Sequence, residues 1–165
     1  MPKVDIWSRL TPQSRAAVEK SREQYASLSP APNTASDPLG TMRAGYNHER
    51  RYWNALQVVL PSVQDLALHT VHGRVPLRLY KPSEGHLLPV LLYSHGGGYI
   101  LGNLDTHDRI CRLLAQRSGW AVLAVDYTLA PEKQFPVQGE QGFAALQYLS
   151  ANAASLGLDA KRIAV

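Results

Sequence analysis

The run His95-Gly96-Gly97-Gly98 follows directly on an apolar stretch, Val90-Leu91-Leu92-Tyr93-Ser94. A buried strand that breaks into three glycines leaves backbone amides at the carboxyl end of a sheet, with no Cβ to hold a ligand away. Amides held in a fixed turn stabilise negative charge that develops on an oxygen, and one such donor is worth on the order of 3 kcal/mol of barrier. These residues read as an anion hole; the plainer alternative is a tight turn after a strand. A phosphate cradle fits less well. The dinucleotide template needs glycine at the first, third and sixth places, but counting from Gly96 the sixth is Leu101, and counting from Gly97 the third is Tyr99. No Lys-Ser/Thr pair follows to complete a triphosphate loop.

An anion hole reacts only with a nucleophile, a base to take its proton and an acid to hold that base. Ser94 and His95 are neighbours at a strand end, so their side chains point to opposite faces and share no hydrogen bond. The pattern Gly-x-Ser-x-Gly does not occur in the 165 residues. None of the six histidines has metal-ligand spacing to another or to the single cysteine, and no metal or other cofactor is expected. Asp105, His107 and Asp108 crowd together where a helix should begin and read as caps. Cys111, among Ile110, Leu113 and Leu114, reads as a buried, inert thiol.

The elements that must position the loop follow from hydrophobic spacing. From Pro89 onward, continuous apolar strands alternate with helices: strands at Val90 to Ser94 and Ala121 to Val125, a third beginning at Ile163, and helices over Thr106 to Ser118 and Val137 to Ser155. The first helix should be capped near Asp105, and the second should bury Phe143, Leu146, Leu149 and Ala153. This alternation predicts an α/β fold whose sheet is mainly parallel, with right-handed crossovers. Ahead of it, Leu66 to Val71 and Val75 to Tyr80 read as an antiparallel pair, with Val75, Leu77 and Leu79 on the buried face. Thr11-Pro12-Gln13 opens an amphipathic helix over about 12 to 28, carrying Leu10, Ala17, Val18, Ser21, Tyr25 and Leu28. Ser29-Pro30-Ala31-Pro32-Asn33 breaks it. Asp37-Pro38 opens a second helix, through Tyr52 or Leu56, with Met42, Tyr46 and Trp53 as its apolar members.

With 45% apolar and 18% charged residues, the composition is that of an ordinary soluble domain. Of the net charge of +4, residues 1–60 carry +3, eight basic minus five acidic, spread at helical spacing; a solvated face is expected and no nucleic-acid partner. One cysteine excludes an internal disulfide and fits a reducing compartment. The amino terminus has no apolar core of signal-peptide length, so the expected location is cytoplasmic. No apolar run reaches the roughly 20 residues of a membrane span.

Two blocks together carry a resemblance. The first is His95-Gly96-Gly97-Gly98-Tyr99 with Gly102-Asn103-Leu104-Asp105-Thr106-His107-Asp108-Arg109; the second is Asp126-Tyr127-Thr128-Leu129-Ala130-Pro131-Glu132 with Phe135-Pro136. In this order they closely resemble the hormone-sensitive-lipase-like esterases of the α/β-hydrolase fold, acetyl esterases in particular. The resemblance implies a serine carboxylesterase of short-chain acyl esters that works through an acyl-enzyme without a cofactor. By carry-over, Gly97 and Gly98 donate the oxyanion-hole amides, Gly96 adds flexibility or an alternative contact, and His95 anchors the loop. Asp126, Tyr127 and Glu132 become supporting residues that brace it. Residues 1–60 would be a helical cap segment and 61–165 the amino-terminal part of the core. Lys161-Arg162-Ile163-Ala164-Val165 resembles the lead-in to the serine turn, which places the serine a few residues beyond Val165, with the acid and base later still. On that expectation the 165 residues alone are inactive and aggregation-prone. The competing reading is a non-catalytic homologue acting as a binding or interaction protein.

Overall fold

The computed structural model describes residues 7–27, 36–56, 58–85 and 87–165. The chain divides into two compact units, Met1–Tyr52 and Trp53–Val165. Leu28 and the Ser29-to-Asn33 breaker lie outside the described residues, as does His86.

In the first unit, α1 (Pro12–Ala26) starts as its sequence requires, with Thr11 extended and its hydroxyl accepting the Ser14 N–H at 3.1 Å, and with proline at the first position. Helix α2 (Pro38–Asn54) opens after Asp37, whose carboxylate accepts the Gly40 N–H at 2.9 Å. The expected apolar stripe of α1 is not buried: Ala17 and Val18 are exposed, and only Lys20, Ser21, Gln24 and Tyr25 are half-covered. What holds these helices together is partly polar. The Ser21 hydroxyl donates to the buried Glu49 carboxylate at 2.7 Å, and Lys20 lies 5.0 Å from the centre of the Tyr52 ring. Met42, Tyr46 and Trp53 are half-buried, and Gly45 and Glu49 take the most covered positions of α2.

The second unit is a five-stranded sheet in the order β1-β2-β4-β3-β5, comprising β1 (Ser62–Thr70), β2 (Gly73–Lys81), β3 (Leu88–Ser94), β4 (Ala121–Val125) and β5 (Leu158–Ala164). Strands β1 and β2 form an antiparallel hairpin that pairs antiparallel with β4, and β3 runs parallel to both β4 and β5. The fold is therefore a mixed, mainly parallel α/β sheet. From β3 the chain passes through α3 (Asp108–Ser118) to β4 on one side, then through α4 (Val137–Asn152) back to β5 on the other. Right-handed crossovers in opposite directions place their helices on opposite faces. That explains why every residue of Ala121-Val122-Leu123-Ala124-Val125 is buried. Ala121, Leu123 and Val125 pack with Val90, Leu92 and the α4 residues Ala145 and Leu149, whereas Val122 and Ala124 pack with Tyr80 and the α3 residues Cys111 and Ala115.

Three expectations are corrected. Helix α3 begins at Asp108 rather than Thr106, and Asp105 does not cap it. The Asp105 carboxylate instead takes an Arg78 N–H at 2.8 Å, and the Arg109 N–H in the first turn is met by Asn54 Oδ1 at 2.8 Å. Phe143 is 61% exposed, because α4 turns the face formed by Gln138, Gln141, Ala145 and Leu149 to the sheet. Strand β5 begins at Leu158, five residues before Ile163, and a short 3₁₀ turn over Ala154–Leu156 replaces the last turn expected of α4.

Candidate active site

The glycine run leaves the carboxyl end of β3, the strand at which the sheet order reverses, with β4 on one side and β5 on the other. In open α/β sheets a ligand crevice forms outside the carboxyl ends of the strands at such a reversal. His95 to Gly98 therefore stand where such a crevice forms.

The geometry of the loop is best followed peptide by peptide. A trans peptide is planar, with C=O and N–H pointing in opposite directions, so fixing one carbonyl aims the following amide. The His95 carbonyl accepts the Tyr127 hydroxyl at 2.6 Å, which orients the Gly96 N–H. The Gly96 carbonyl lies 3.0 Å from His95 Nδ1, and because a carbonyl only accepts, Nδ1 carries the proton. This contact orients the Gly97 N–H. The Gly97 carbonyl accepts the Ile100 and Leu101 amides at 3.1 and 3.0 Å, which orients the Gly98 N–H. Among the described residues, the N–H groups of Gly96, Gly97 and Gly98 have no internal acceptor of their own. Three pinned carbonyls thus leave three aimed, unused donors, an arrangement able to hydrogen-bond an oxyanion.

Glycine is required at two places here. Gly97 has φ +133°, and a Cβ there would meet the Leu101 carbonyl oxygen at 2.0 Å; at Gly102, φ +98°, it would meet His95 Nδ1 at 2.4 Å and the Gly96 oxygen at 2.6 Å. Gly102 belongs to the loop as much as the glycine run does, although it stands apart from that run. Among the described residues Tyr99 is the one non-glycine residue with positive φ (+62°), and its carbonyl accepts the Ala130 N–H at 2.8 Å. A left-handed tyrosine is uncommon and persists where its surroundings over-determine it.

His95 is buried, with 2% of its side chain exposed, and its ring stacks on Tyr127 at 4.3 Å between centroids. Its Nε2 has no hydrogen-bond partner among the described residues; the nearest charge is Asp126 Oδ1 at 3.7 Å. Tyr127 and Ala130 thus tie the second sequence block to the first. Asp126 contributes its backbone N–H to the Pro76 carbonyl at 2.9 Å and only a distant carboxylate to His95. Glu132 is exposed, beyond the Ala130 anchor. Thr128 is held by a residue that spacing did not single out: its N–H donates to Gln141 Oε1 at 2.7 Å, and Gln141 Nε2 donates to its hydroxyl at 3.0 Å. The signal for Gln141 was a polar residue in phase with Gln138, Ala145 and Leu149, which a purely apolar stripe passes over.

The acidic residues near α3 make ion pairs. Asp108 accepts from the Tyr80 hydroxyl at 2.9 Å and from Arg112 at 2.6 Å, and Arg78 bridges Asp65 and Asp105. Hydrogen bonding to Arg78 holds the Asp65 carboxyl below its ordinary range, and burial raises the Tyr80 hydroxyl. Among the described residues no group of three or more His, Cys, Asp or Glu is placed to hold a metal ion. Cys111 is fully buried; burial, and then the Asp108 carboxylate, push its thiol up to about 12, the opposite of an activated nucleophile. Among the described residues no helix is long and apolar enough to cross a membrane.

A family model described as alpha/beta hydrolase fold matches residues 91–165. Acetyl esterases of Salmonella schwarzengrund and Salmonella typhi are each 38% identical to the chain over 161 residues, 98% of this chain and 48% of theirs. The chain therefore spans about half the length of the curated relatives it matches. Among solved structures, a hyperthermophilic esterase from Pyrobaculum calidifontis superposes with a TM-score of 0.82 at 32% identity, covering 94% of this chain and 48% of that one. A thermostable carboxylesterase cloned from a metagenomic library gives 0.76 at 37% identity, covering 79% and 45%. Strand order, glycine loop and relatives agree: the chain has the α/β-hydrolase fold and is similar to the esterases that share it.

Proposed function

We propose that these residues supply the oxyanion-binding part of a serine carboxylesterase that hydrolyses short-chain acyl esters such as acetyl esters. The observation that carries this reading is the set of pinned carbonyls at His95, Gly96 and Gly97, with the unused amides of Gly96, Gly97 and Gly98 behind them. A serine hydroxyl attacking the ester carbonyl converts its oxygen to an alkoxide. The N–H groups of Gly97 and Gly98 donate to that oxygen, Gly96 serving as an alternative contact, and the charge is dispersed as it forms. Collapse of this intermediate expels the alcohol and leaves an acyl-serine, which water hydrolyses through a second intermediate in the same hole. His95 and Tyr127 act on the loop's shape rather than on the substrate, with Asp126 and Glu132 as outer supports. No metal or cofactor enters this chemistry.

The serine, acid and base are assigned to sequence following Val165, and residues 1–60 to a helical cap segment. The acetyl esterase relatives support a short acyl group. The single buried thiol supports a reducing, cytoplasmic setting.

The test is turnover of p-nitrophenyl acetate by the complete gene product that carries these residues, alongside the 165-residue chain. The complete product is expected to hydrolyse the ester and the shorter chain to match a heat-treated control. A folded complete product with no turnover of acetate or butyrate esters overturns the reading in favour of a binding protein.

A further inference from the structure

We propose that His107 is a positioning residue of the glycine loop, a ring stacked on His95 that helps hold it and, through it, aims the Gly97 amide. The inference rests on the esterase reading for its use, but the geometry stands independently of it.

Two rings stack against His95: Tyr127 at 4.3 Å between centroids and 15° between planes, and His107 at 5.3 Å and 29°. Rotation of an imidazole about its last bond is soft, with broad preferences, so its plane is set by what packs against it. That plane matters because His95 Nδ1 holds the Gly96 carbonyl, and the same peptide carries the Gly97 N–H. A His95 ring free to swing would let this peptide turn and take the donor with it.

His107 is itself held. Asn103 and Thr106 close a tight turn, with the Asn103 N–H donating to Thr106 Oγ1 at 2.8 Å, the Thr106 N–H donating to Asn103 Oδ1 at 2.9 Å, and the Thr106 hydroxyl donating to the Asn103 carbonyl at 2.9 Å. Since that hydroxyl proton is already spent on Asn103, the 2.9 Å contact between Thr106 Oγ1 and His107 Nδ1 has the ring nitrogen as donor. The anchored nitrogen and the stacked face help fix the ring's pose, and the Tyr93 ring lies 6.2 Å away between centroids. His107 also borders the glycine run: its Nε2 lies 3.9 Å from where a Cβ on Gly96 would stand. Sequence spacing makes this histidine look like a helix cap, yet it forms no side-chain capping bond with α3.

The experiment uses the complete gene product labelled with ¹⁵N-glycine, together with its His107→Ala, His107→Phe and His107→Asn variants. Phenylalanine keeps a ring against His95, asparagine keeps a donor toward Thr106 without a ring, and alanine keeps neither. The Gly96 and Gly97 amide resonances are expected to shift or broaden in the alanine and asparagine variants and to stay near wild type in the phenylalanine variant. For p-nitrophenyl acetate, kcat should fall about tenfold in the alanine and asparagine variants with KM nearly unchanged, and phenylalanine should restore most of it. Unmoved glycine amides in the asparagine variant, or equal losses for asparagine and phenylalanine, overturn the proposal. Glycine shifts that follow the ring in a wild-type protein without turnover uphold the positioning role and count against the esterase reading instead. Should the alanine variant fail to fold, the asparagine and phenylalanine pair decides alone.

Discussion

Replacing Gly97 and Gly98 singly by alanine separates the loop's geometry from its mere glycine content. At Gly97 the new Cβ would stand 2.0 Å from the Leu101 carbonyl oxygen, where ordinary contact begins near 3.4 Å, so the turn must open by more than an ångström. Opening it breaks the Ile100 and Leu101 bonds to the Gly97 carbonyl, worth about 1 kcal/mol each, and leaves an L-residue at φ +133°, which costs about 1–3 kcal/mol. The expected loss is therefore about 3–5 kcal/mol. At Gly98, φ is +61° and a Cβ meets nothing within 4 Å, so alanine there costs only about 1–2 kcal/mol of left-handed strain and keeps its N–H. Urea unfolding of the complete gene product should show the Gly97→Ala midpoint lowered by more than about 1 M and the Gly98→Ala midpoint by a fraction of that. Ester hydrolysis should follow the same order, lost in the first variant and largely kept in the second. Equal midpoints and equal activities would refute the loop geometry derived above.

Three further outcomes follow. Tyr127→Phe keeps the ring against His95 but strands the buried His95 carbonyl, so stability should drop by about 1–3 kcal/mol, measured by denaturant titration, with a fall in kcat for p-nitrophenyl acetate; an unchanged midpoint would show that this hydroxyl does not brace the loop. Cys111 should resist a thiol reagent at pH 8 in the native protein and react at once in denaturant, because its thiol is buried and pushed up to about 12; rapid native labelling would contradict this placement. Asp65 is held below its ordinary pKa by Arg78, so its contribution is present above the unfolded carboxylate value and fades as pH falls through the lower folded one. Asp65→Asn should accordingly flatten the acid side of the stability profile below about pH 4, and an unaltered acid limb would contradict the pairing.

Much of the second unit was legible because its signals are local. Val90 to Ser94 and Ala121 to Val125 are apolar without alternation, as strands covered on both faces must be, and His95-Gly96-Gly97-Gly98 breaks the first of them where the sheet order reverses. Boundaries and partners were less legible, because they are settled by residues distant in sequence. Asp105 looks like a cap until Arg78, 27 residues away, takes its carboxylate. Phe143 looks like core until α4 shows Gln141 to the sheet instead, a choice made by the hydrogen bonds that Thr128 offers. The positions of Gly102 and His107 against His95 come from the fold of the loop, and nothing in their spacing announced them.

The most direct test of the anion-binding claim is a crystal structure of the complete gene product after reaction with a p-nitrophenyl phosphonate, whose serine adduct places a phosphoryl oxygen where the alkoxide forms. The account predicts that oxygen within about 2.7–3.1 Å of the Gly97 and Gly98 nitrogens, with the His95 to Gly96 and Tyr127 to His95 contacts intact. An adduct whose oxygen is met by other donors, with the glycine amides turned away, would contradict it.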